Sequence, residues 1–458
     1  MESAKCVAVI LAAGEGTRMK SSLPKVLHKA AGKELVRWAA EAAMEACGTA
    51  PVIVYGSGGN LVPETIGEPY AYALQDKRMG SGHAVMCAKE AILASGAEYT
   101  FVLAGDMPLV RAESIKKVID EAKNGNYDLL MLTGMQDNPT GYGRIIRKND
   151  MVKAIVEEKD ATPEQKKICE VNLSVYCFKT SALISALEKV RPNNAAGEYY
   201  ITDCLYIIGS EGGKCGAVIA EDISECTGVN DRVQLSAVSK VLRSRINEKH
   251  MRNGVTMIDP ESCYIDAEVE IGRDTIIYPG VILEGKTKIG EGCELLQGSR
   301  IVDSEIGNGT TVQNSVIESA VVGENTKVGP YAYFRKGTVI GNNCRVGDFV
   351  EVKNAQIKDG AKVSHLTYVG DGEIGEETNV GCGVVFGNYD GKKKARTVVG
   401  KKAFIGCNTN LIAPVTVGDG AYIVAGSTVT EDVPADALVI ARARQVVKLG
   451  RGKGRYKD

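Results

Sequence analysis

The sequence predicts a fold in two parts: an α/β domain with a mainly parallel sheet, followed by a parallel β-helix of hexapeptide repeats. Three observations carry this. Aliphatic residues recur every six positions through the carboxyl-terminal half. Short apolar strands alternate with helices in the amino-terminal half. Glycine content rises between the two, from 22 in the first 253 residues to 30 in the last 205.

The repeat begins at Ile265, Ile271, Ile277, Leu283, Ile289, Leu295 and Ile301, takes a five-residue step to Ile306, and continues to Phe386. After a break of thirteen residues it resumes at Val399 and runs to Val429. A period of six is incompatible with an amphipathic helix, whose period is 3.6. It fits flat faces of one hexapeptide each, three to a triangular coil, with the aliphatic side chains stacked inside. The interrupting stretch from Gly387 to Arg396 is too polar to stack, so it is expected to project as a loop.

In the first part, Cys6–Ala13, Pro51–Tyr55, Thr100–Ala104, Asp128–Leu132 and Glu170–Phe178 read as strands. Helical spacing over Glu34–Cys47 ends at Gly48, a natural C′ residue. This alternation implies helices covering a parallel sheet, with ligands at the carboxyl ends of the strands. Asp231 is placed to cap a helix running to Asn253, with Leu235, Val238, Leu242 and Ile246 in one stripe. The expected domains are therefore 1–230 and 254–458, joined by a helical linker at 231–253.

Composition narrows the class. With 55 Lys and Arg against 57 Asp and Glu, the net charge is −2, which gives no footprint for nucleic acid or a membrane surface. Only the tail from Arg442 onward is basic. No apolar run reaches the roughly 18 residues of a membrane span, and Met1-Glu2-Ser3-Ala4-Lys5 does not read as a secretory signal. Thirteen scattered cysteines with no C-x-x-C pair read as reduced thiols of a cytoplasmic protein.

The first strand runs into Leu11-Ala12-Ala13-Gly14-Glu15-Gly16-Thr17-Arg18-Met19, then Leu23-Pro24-Lys25. Glycines after a strand let backbone N–H groups cradle phosphate oxygens. Met19 replaces the third glycine of a dinucleotide fingerprint, and no P-loop Gly-Lys-Ser/Thr follows. What remains is a glycine loop with two cations, Arg18 and Lys25, suited to a triphosphate. Asp106 ends an apolar strand, where a bare carboxylate is costly without a cation.

That loop resembles the signature of the sugar-phosphate nucleotidylyltransferases, and Gln75, Gly80-Ser81-Gly82-His83-Ala84, Gly105-Asp106-Met107-Pro108-Leu109, Gly141-Tyr142-Gly143-Arg144 and Gly228-Val229-Asn230 extend the match. With the solenoid behind it, the whole chain resembles a bacterial bifunctional family. That family joins an N-acetylglucosamine-1-phosphate uridylyltransferase to a glucosamine-1-phosphate acetyltransferase. The resemblance implies a Rossmann-like nucleotidyltransferase domain and a left-handed β-helix. It implies Mg²⁺ held by Asp106 and Asn230, with Arg18 and Lys25 on the triphosphate of UTP. Leu11, Ala12, Ala13, Gly14, Gln75, Gly80, Ser81, Ala104 and Gly105 would line the nucleotide. Gly143, Glu157 and Asn172 would meet N-acetylglucosamine. Family members commonly carry Gln at Arg78, Thr at Ser81 and Thr-Gly at Leu173-Ser174. His83 is given no role.

In the solenoid the discriminating feature is where polar residues break the pattern. Of four histidines only His365 lies there, which excludes a three-histidine zinc site but allows a general base. Alone it would read as a rim histidine. Arg335 and Lys353 follow inward aliphatics in nearby coils, and the family carries Asn-Tyr-Asp-Gly where Asn388-Tyr389-Asp390-Gly391 stand. By resemblance His365 is the catalytic base, and Arg335, Lys353, Tyr368 and Asn379 hold glucosamine-1-phosphate. Asn388, Tyr389, Cys382, Cys407, Ala425 and Arg442 meet acetyl-CoA, and the protein assembles as a homotrimer. The competing expectation is a nucleotidylyltransferase whose solenoid serves only regulation or trimerisation; a third is a scaffold without activity.

Overall fold

The computed structural model describes residues 5–56, 59–148, 151–194 and 196–453. The Met1–Ala4 stretch and the end of the basic tail, 454–458, lie outside them. Two compact units are present, Met1–Leu242 and Arg243–Asp458.

The first unit is built on nine strands: β1 (Cys6–Ala12), β2 (Val52–Gly56), β3 (Ala71–Gln75), β4 (Tyr99–Ala104), β5 (Leu129–Met135), β6 (Arg144–Lys148), β7 (Met151–Val156), β8 (Glu170–Lys179) and β9 (Cys215–Ile219). The sheet order is β9-β5-β8-β4-β1-β2-β3, with the β6–β7 hairpin attached to β8. Strands β3, β2, β1 and β4 pair in parallel, as do β5 and β9. Strand β8 runs against both neighbours, so the sheet is mainly parallel with one reversed strand. The expected strands are all present; β3, the hairpin and β9 were not foreseen. The helix Leu35–Cys47 ends at Gly48 in the left-handed region, φ 70°.

The expected linker helix spans Arg232–Arg252, and Asp231 caps it by accepting from Gln234 N at 2.8 Å. The boundary between the units falls inside this helix. In the first unit Val238 and Leu242 pack with Leu35 and Leu109. In the second, Ile246 packs on the solenoid core and Asn247 donates to Pro260 O at 2.8 Å.

The second unit is the expected β-helix, three parallel stacks of 11, 10 and 9 short strands, of the left-handed hexapeptide class. Register is set by the repeat: Ile277 lies beside Leu295, Ile265 beside Leu283, Ile271 beside Ile289. The inward positions form one core, among them Phe334, Val352, Val369 and Phe386. Glycine after an inward aliphatic has a steric cause. A Cβ on Gly272 would sit 2.6 Å from Glu291 N of the next coil, and one on Gly323 would sit 2.6 Å from the Gly341 carbonyl carbon. The chain leaves the stack after Val385–Gly387 and returns at Thr397–Val399, so the polar interruption is a loop, closed on itself at Tyr389 and Lys394.

Inward and outward neighbours therefore differ sharply in energetic weight. Ile340 is 1% exposed and Val339 beside it 41%. Ile340→Ala is expected to cost about 2–5 kcal/mol, and Val339→Ala about 0.5 kcal/mol or less, read as shifts of the denaturant midpoint of the full chain.

Candidate active sites

In the first unit, β1 delivers the glycine loop. Gly16 has φ +63°, and a Cβ there would collide with the Lys25 side chain. Glycine thus lets the loop close over Lys25. The Lys25 ammonium forms an ion pair with Asp106, which follows β4, and donates to Asn230 Oδ1 at 3.2 Å. Asn230 is fixed from both sides: Val229 N donates to Asp106 O at 2.9 Å, and Asn230 N to Gln234 Oε1 at 2.7 Å. Three segments distant in sequence thus bring a carboxylate and an amide oxygen onto one cation. Those are hard oxygen donors of the kind Mg²⁺ takes. Among the described residues no cluster of three or more His, Cys, Asp or Glu could hold a metal.

A cleft of about 330 Å³ opens beside this contact. Leu11, Ala13, Gly14, Lys25, Gln75, Gly80, Ser81, Ala104 and Asp106 all line it. Ala12 lines the adjoining hollow, and Gly105 packs beneath the cleft against Ile10 and Val36. Arg18 is exposed on the turn Thr17–Met19 and is not part of the cleft wall. Arg78 is: its Nε donates to Ala13 O at 3.1 Å, and it pairs with Glu15 of the loop. Gln75 is buried, its Nε2 donating to Gly80 O at 3.0 Å and lying 3.1 Å from His83 Nδ1. His83 therefore braces Gln75. Ser81 turns its hydroxyl to Ile201 N, 3.1 Å away.

Gly143, Glu157 and Asn172 form a second cluster. Asn172 N donates to Gly143 O at 2.8 Å, and a Cβ on Gly143 would lie 3.3 Å from Glu157 Oε1. A bulge in β8 between Asn172 and Val175 aims the Asn172 amide at Tyr176 OH, 2.6 Å away. The bulge puts Ser174 at φ 57°, in the left-handed region that favours glycine. Burial, then the charges of Asp160 and Asp203, push the Glu157 carboxyl above the ordinary glutamate range.

In the solenoid the expected residues fall into two groups. One is a column along a corner. Leu366 N donates to Asp348 O at 2.9 Å, Gly383 N to His365 O at 3.4 Å, Asn408 N to Cys382 O at 2.7 Å and Gly426 N to Cys407 O at 2.8 Å. Asp348, His365, Cys382, Cys407 and Ala425 thus hold equivalent places in successive coils. A Cβ on Gly426 would lie 3.9 Å from Arg442 Cδ, which extends the column. Cys407 is exposed and Cys382 half-buried; every described cysteine is a free thiol.

The other group lies at the far end of the neighbouring face. Arg335 pairs with Glu351 at 3.0 Å. The Lys394 ammonium, then Arg335, hold the Lys353 amine below the ordinary lysine range. Lys394, from the projecting loop, was not foreseen. Asn388 is buried and donates to Asp371 Oδ2 at 2.5 Å, with Asn354 on the other oxygen at 2.6 Å. A side chain on Gly370 would collide with the Tyr368 hydroxyl and the Asn388 amide, so glycine leaves room for both. Crowded cations beside hydroxyl and amide groups suit an anionic, polyhydroxylated ligand. Asn388 thus joins this group, whereas Asn379 stands on the first face between Lys362 and Phe404, and Tyr389 is exposed on the loop.

A glycine-loop α/β domain in which Lys25 meets Asp106 and Asn230, followed by a hexapeptide β-helix with His365 in a corner column, is the architecture of a two-domain transferase. Residues 8–169 match the MobA-like NTP transferase domain, and 319–354 and 396–431 match the bacterial transferase hexapeptide (six repeats). "Bifunctional protein GlmU" of Caldanaerobacter subterraneus subsp. tengcongensis is 53% identical over 452 residues, 98% of each chain. The proteins of that name from Clostridium beijerinckii and Clostridioides difficile are each 50% identical, over 96% and 97% of this chain and 96% of theirs. The chain belongs to the GlmU family of bifunctional proteins, with both its nucleotidyltransferase and its acyltransferase domains. A solenoid serving only assembly is not favoured.

The raised Glu157 carboxyl makes stability depend on pH. Because its folded pKa lies above its unfolded one, it favours the fold at low pH, and that advantage is lost as pH rises through the folded value. Glu157→Gln should therefore raise the melting temperature at pH 7 relative to the native chain and give no such gain near pH 4.

Proposed function

We infer that this chain makes UDP-N-acetylglucosamine in two steps. It acetylates glucosamine-1-phosphate with acetyl-CoA, then transfers uridylyl from UTP to N-acetylglucosamine-1-phosphate with release of pyrophosphate. The observation that carries the reading is that one chain, aligned over 98% of its length with a bifunctional relative, holds both a phosphate-suited cation site and a histidine column.

In the acetyl step, Arg335, Lys353 and Lys394 bind the sugar phosphate, and Tyr368, Asn379 and Asn388 orient the ring. His365 takes one proton from the ammonium, the amine attacks the thioester carbonyl, the carbon–sulfur bond breaks, the second nitrogen proton leaves with CoA as its thiol, and His365 returns its own proton to water. Acetyl-CoA lies along Cys382, Cys407, Ala425 and Arg442, with Tyr389 of the loop. Thioesters react readily with oriented amines, so no acyl-enzyme is required. In the uridylyl step, a phosphate oxygen of N-acetylglucosamine-1-phosphate attacks the α-phosphorus of UTP in line. Positioning and charge neutralisation supply the rate. Lys25 and Arg18 hold the triphosphate, Gln75 and the Leu11–Gly14 backbone the uracil, and Gly143, Glu157 and Asn172 the sugar. Asp106 and Asn230 would hold Mg²⁺, which would supply neutralisation of phosphate charge.

The working form is a cytoplasmic homotrimer. Its support is a ridge of bulky residues beside the column. Tyr331, Phe349 and Leu366 are 55%, 57% and 59% exposed, and all three have left-handed backbone, φ 60°, 56° and 44°. Such residues rarely adopt that conformation, and an exposed apolar ridge fits a second copy of the chain. The anion-suited group and the histidine column lie at different corners of one coil stack, so clefts between copies supply the pocket. Phe349→Asp should shift the sedimentation coefficient toward monomer and lower acetyl transfer while uridylyl transfer persists.

The test of the reading supplies glucosamine-1-phosphate, acetyl-CoA, UTP and Mg²⁺ together and identifies products by mass. UDP-N-acetylglucosamine is expected; its absence overturns the bifunctional reading. Asp106→Ala should abolish uridylyl transfer and leave acetylation nearly unchanged. His365→Ala should lower acetylation about 10²–10⁴-fold with uridylyl transfer intact, and Cys407→Ser should be tolerated. Inactive Cys407→Ser, with acetyl label trapped on the native protein, would move catalysis to a thioester route.

A further inference from the structure

His365 stands at the end of the strand Lys362–His365, paired in the ladder with Arg345–Asp348 of the preceding coil, where Asp348 is its direct partner. Asp348 Oδ1 lies 2.8 Å from His365 Nδ1. Both side chains are open to solvent, 40% and 53% exposed. We propose that Asp348 is a positioning residue for the acetyl-transfer step. It fixes the His365 tautomer with Nδ1–H donating to its carboxylate, so that Nε2 is presented to the substrate ammonium.

The geometry leaves little choice of donor. Its own backbone N–H, then His365, hold the Asp348 carboxyl below the ordinary aspartate range. It is therefore ionised at working pH and can only accept, so the proton on the shared line sits on Nδ1. In the neutral imidazole the other nitrogen is then the acceptor, as a base requires. When Nε2 takes the substrate proton, the imidazolium formed is stabilised by the adjacent carboxylate, and no proton passes to Asp348. The other charged groups facing this pair are few. Arg345 of the preceding coil and Lys362 on the histidine's own strand are cationic and lie beside each other in the ladder. The following coil brings the uncharged Asn379 opposite Lys362 and the Cys382 thiol at the corner. Asp348 is the carboxylate of this set.

The inference rests on the reading of His365 as the base, and the experiment separates the two. Acetyl transfer is measured against pH for the native chain, Asp348→Asn, Asp348→Ala, His365→Ala and the double variant His365→Ala/Asp348→Ala. General-base help is worth about 10²–10⁴-fold in all, and Asp348→Ala should lose part of that in kcat, less than His365→Ala does, with KM for both substrates little changed. Asp348→Asn should move the acidic limb of the kcat/KM profile to lower pH, because the imidazolium loses its counter-charge. In the His365→Ala background, Asp348→Ala should cost nothing further. An unshifted limb in Asp348→Asn, or an undiminished loss in the double variant, overturns the proposal while leaving His365 as the base. A fully active His365→Ala overturns both. Unchanged uridylyl transfer in every variant serves as the check on folding.

Discussion

The vertical register of the solenoid is the constraint on which the acetyl-transfer half depends. Each coil must put an aliphatic side chain inward on each face, and each corner must let two backbones stack. Glycine satisfies the second demand at Gly272 and Gly323, where a Cβ would fall 2.6 Å from the next coil. Once register is fixed, residues one coil apart in sequence become neighbours in space. Asp348, His365, Cys382 and Cys407 meet for that reason and no other. A shift of register by one residue would turn every inward side chain outward.

The amino-terminal unit solves a different problem, gathering phosphate-binding groups at strand ends. Strands β1 and β4 are parallel neighbours, so the loops after Ala12 and Ala104 emerge side by side. One contributes the glycine turn that admits Lys25, the other Asp106. Asn230 arrives from the segment before the long helix, held to Asp106 by the Val229 amide. Charge is managed locally in both halves, and in the solenoid the Asp371 carboxylate already faces Lys353 and Lys394. Lys25 faces Asp106, whereas Lys353, Lys394 and Arg335 crowd one another, with Glu351 on Arg335.

Much of this was legible in the sequence because it follows from short-range periodicity. The inward series from Ile265 to Val429 is local, and the glycine loop is contiguous. The rest was hidden for physical reasons. Strand β6 reads Arg-Ile-Ile-Arg-Lys, and its charge masks it. The reversal of β8 depends on which strands lie beside it, which no local pattern encodes. The pairing of Gln75 with His83 joins a strand end to a helix, and the bracing of the loop by Arg78 spans 65 residues. Asp348 could have been found by counting one coil back from His365. Lys394 could not, because the projecting loop obeys no repeat.

Acetyl and uridylyl transfer at separate sites, with N-acetylglucosamine-1-phosphate released between them, can be tested by complementation. The most direct measurement mixes two singly impaired proteins, Asp106→Ala and His365→Ala, with glucosamine-1-phosphate, acetyl-CoA, UTP and Mg²⁺. Each alone should make no UDP-N-acetylglucosamine above the residual rate. The mixture should restore it after a lag while N-acetylglucosamine-1-phosphate accumulates. A mixture no better than its components would show that no free intermediate links the two steps.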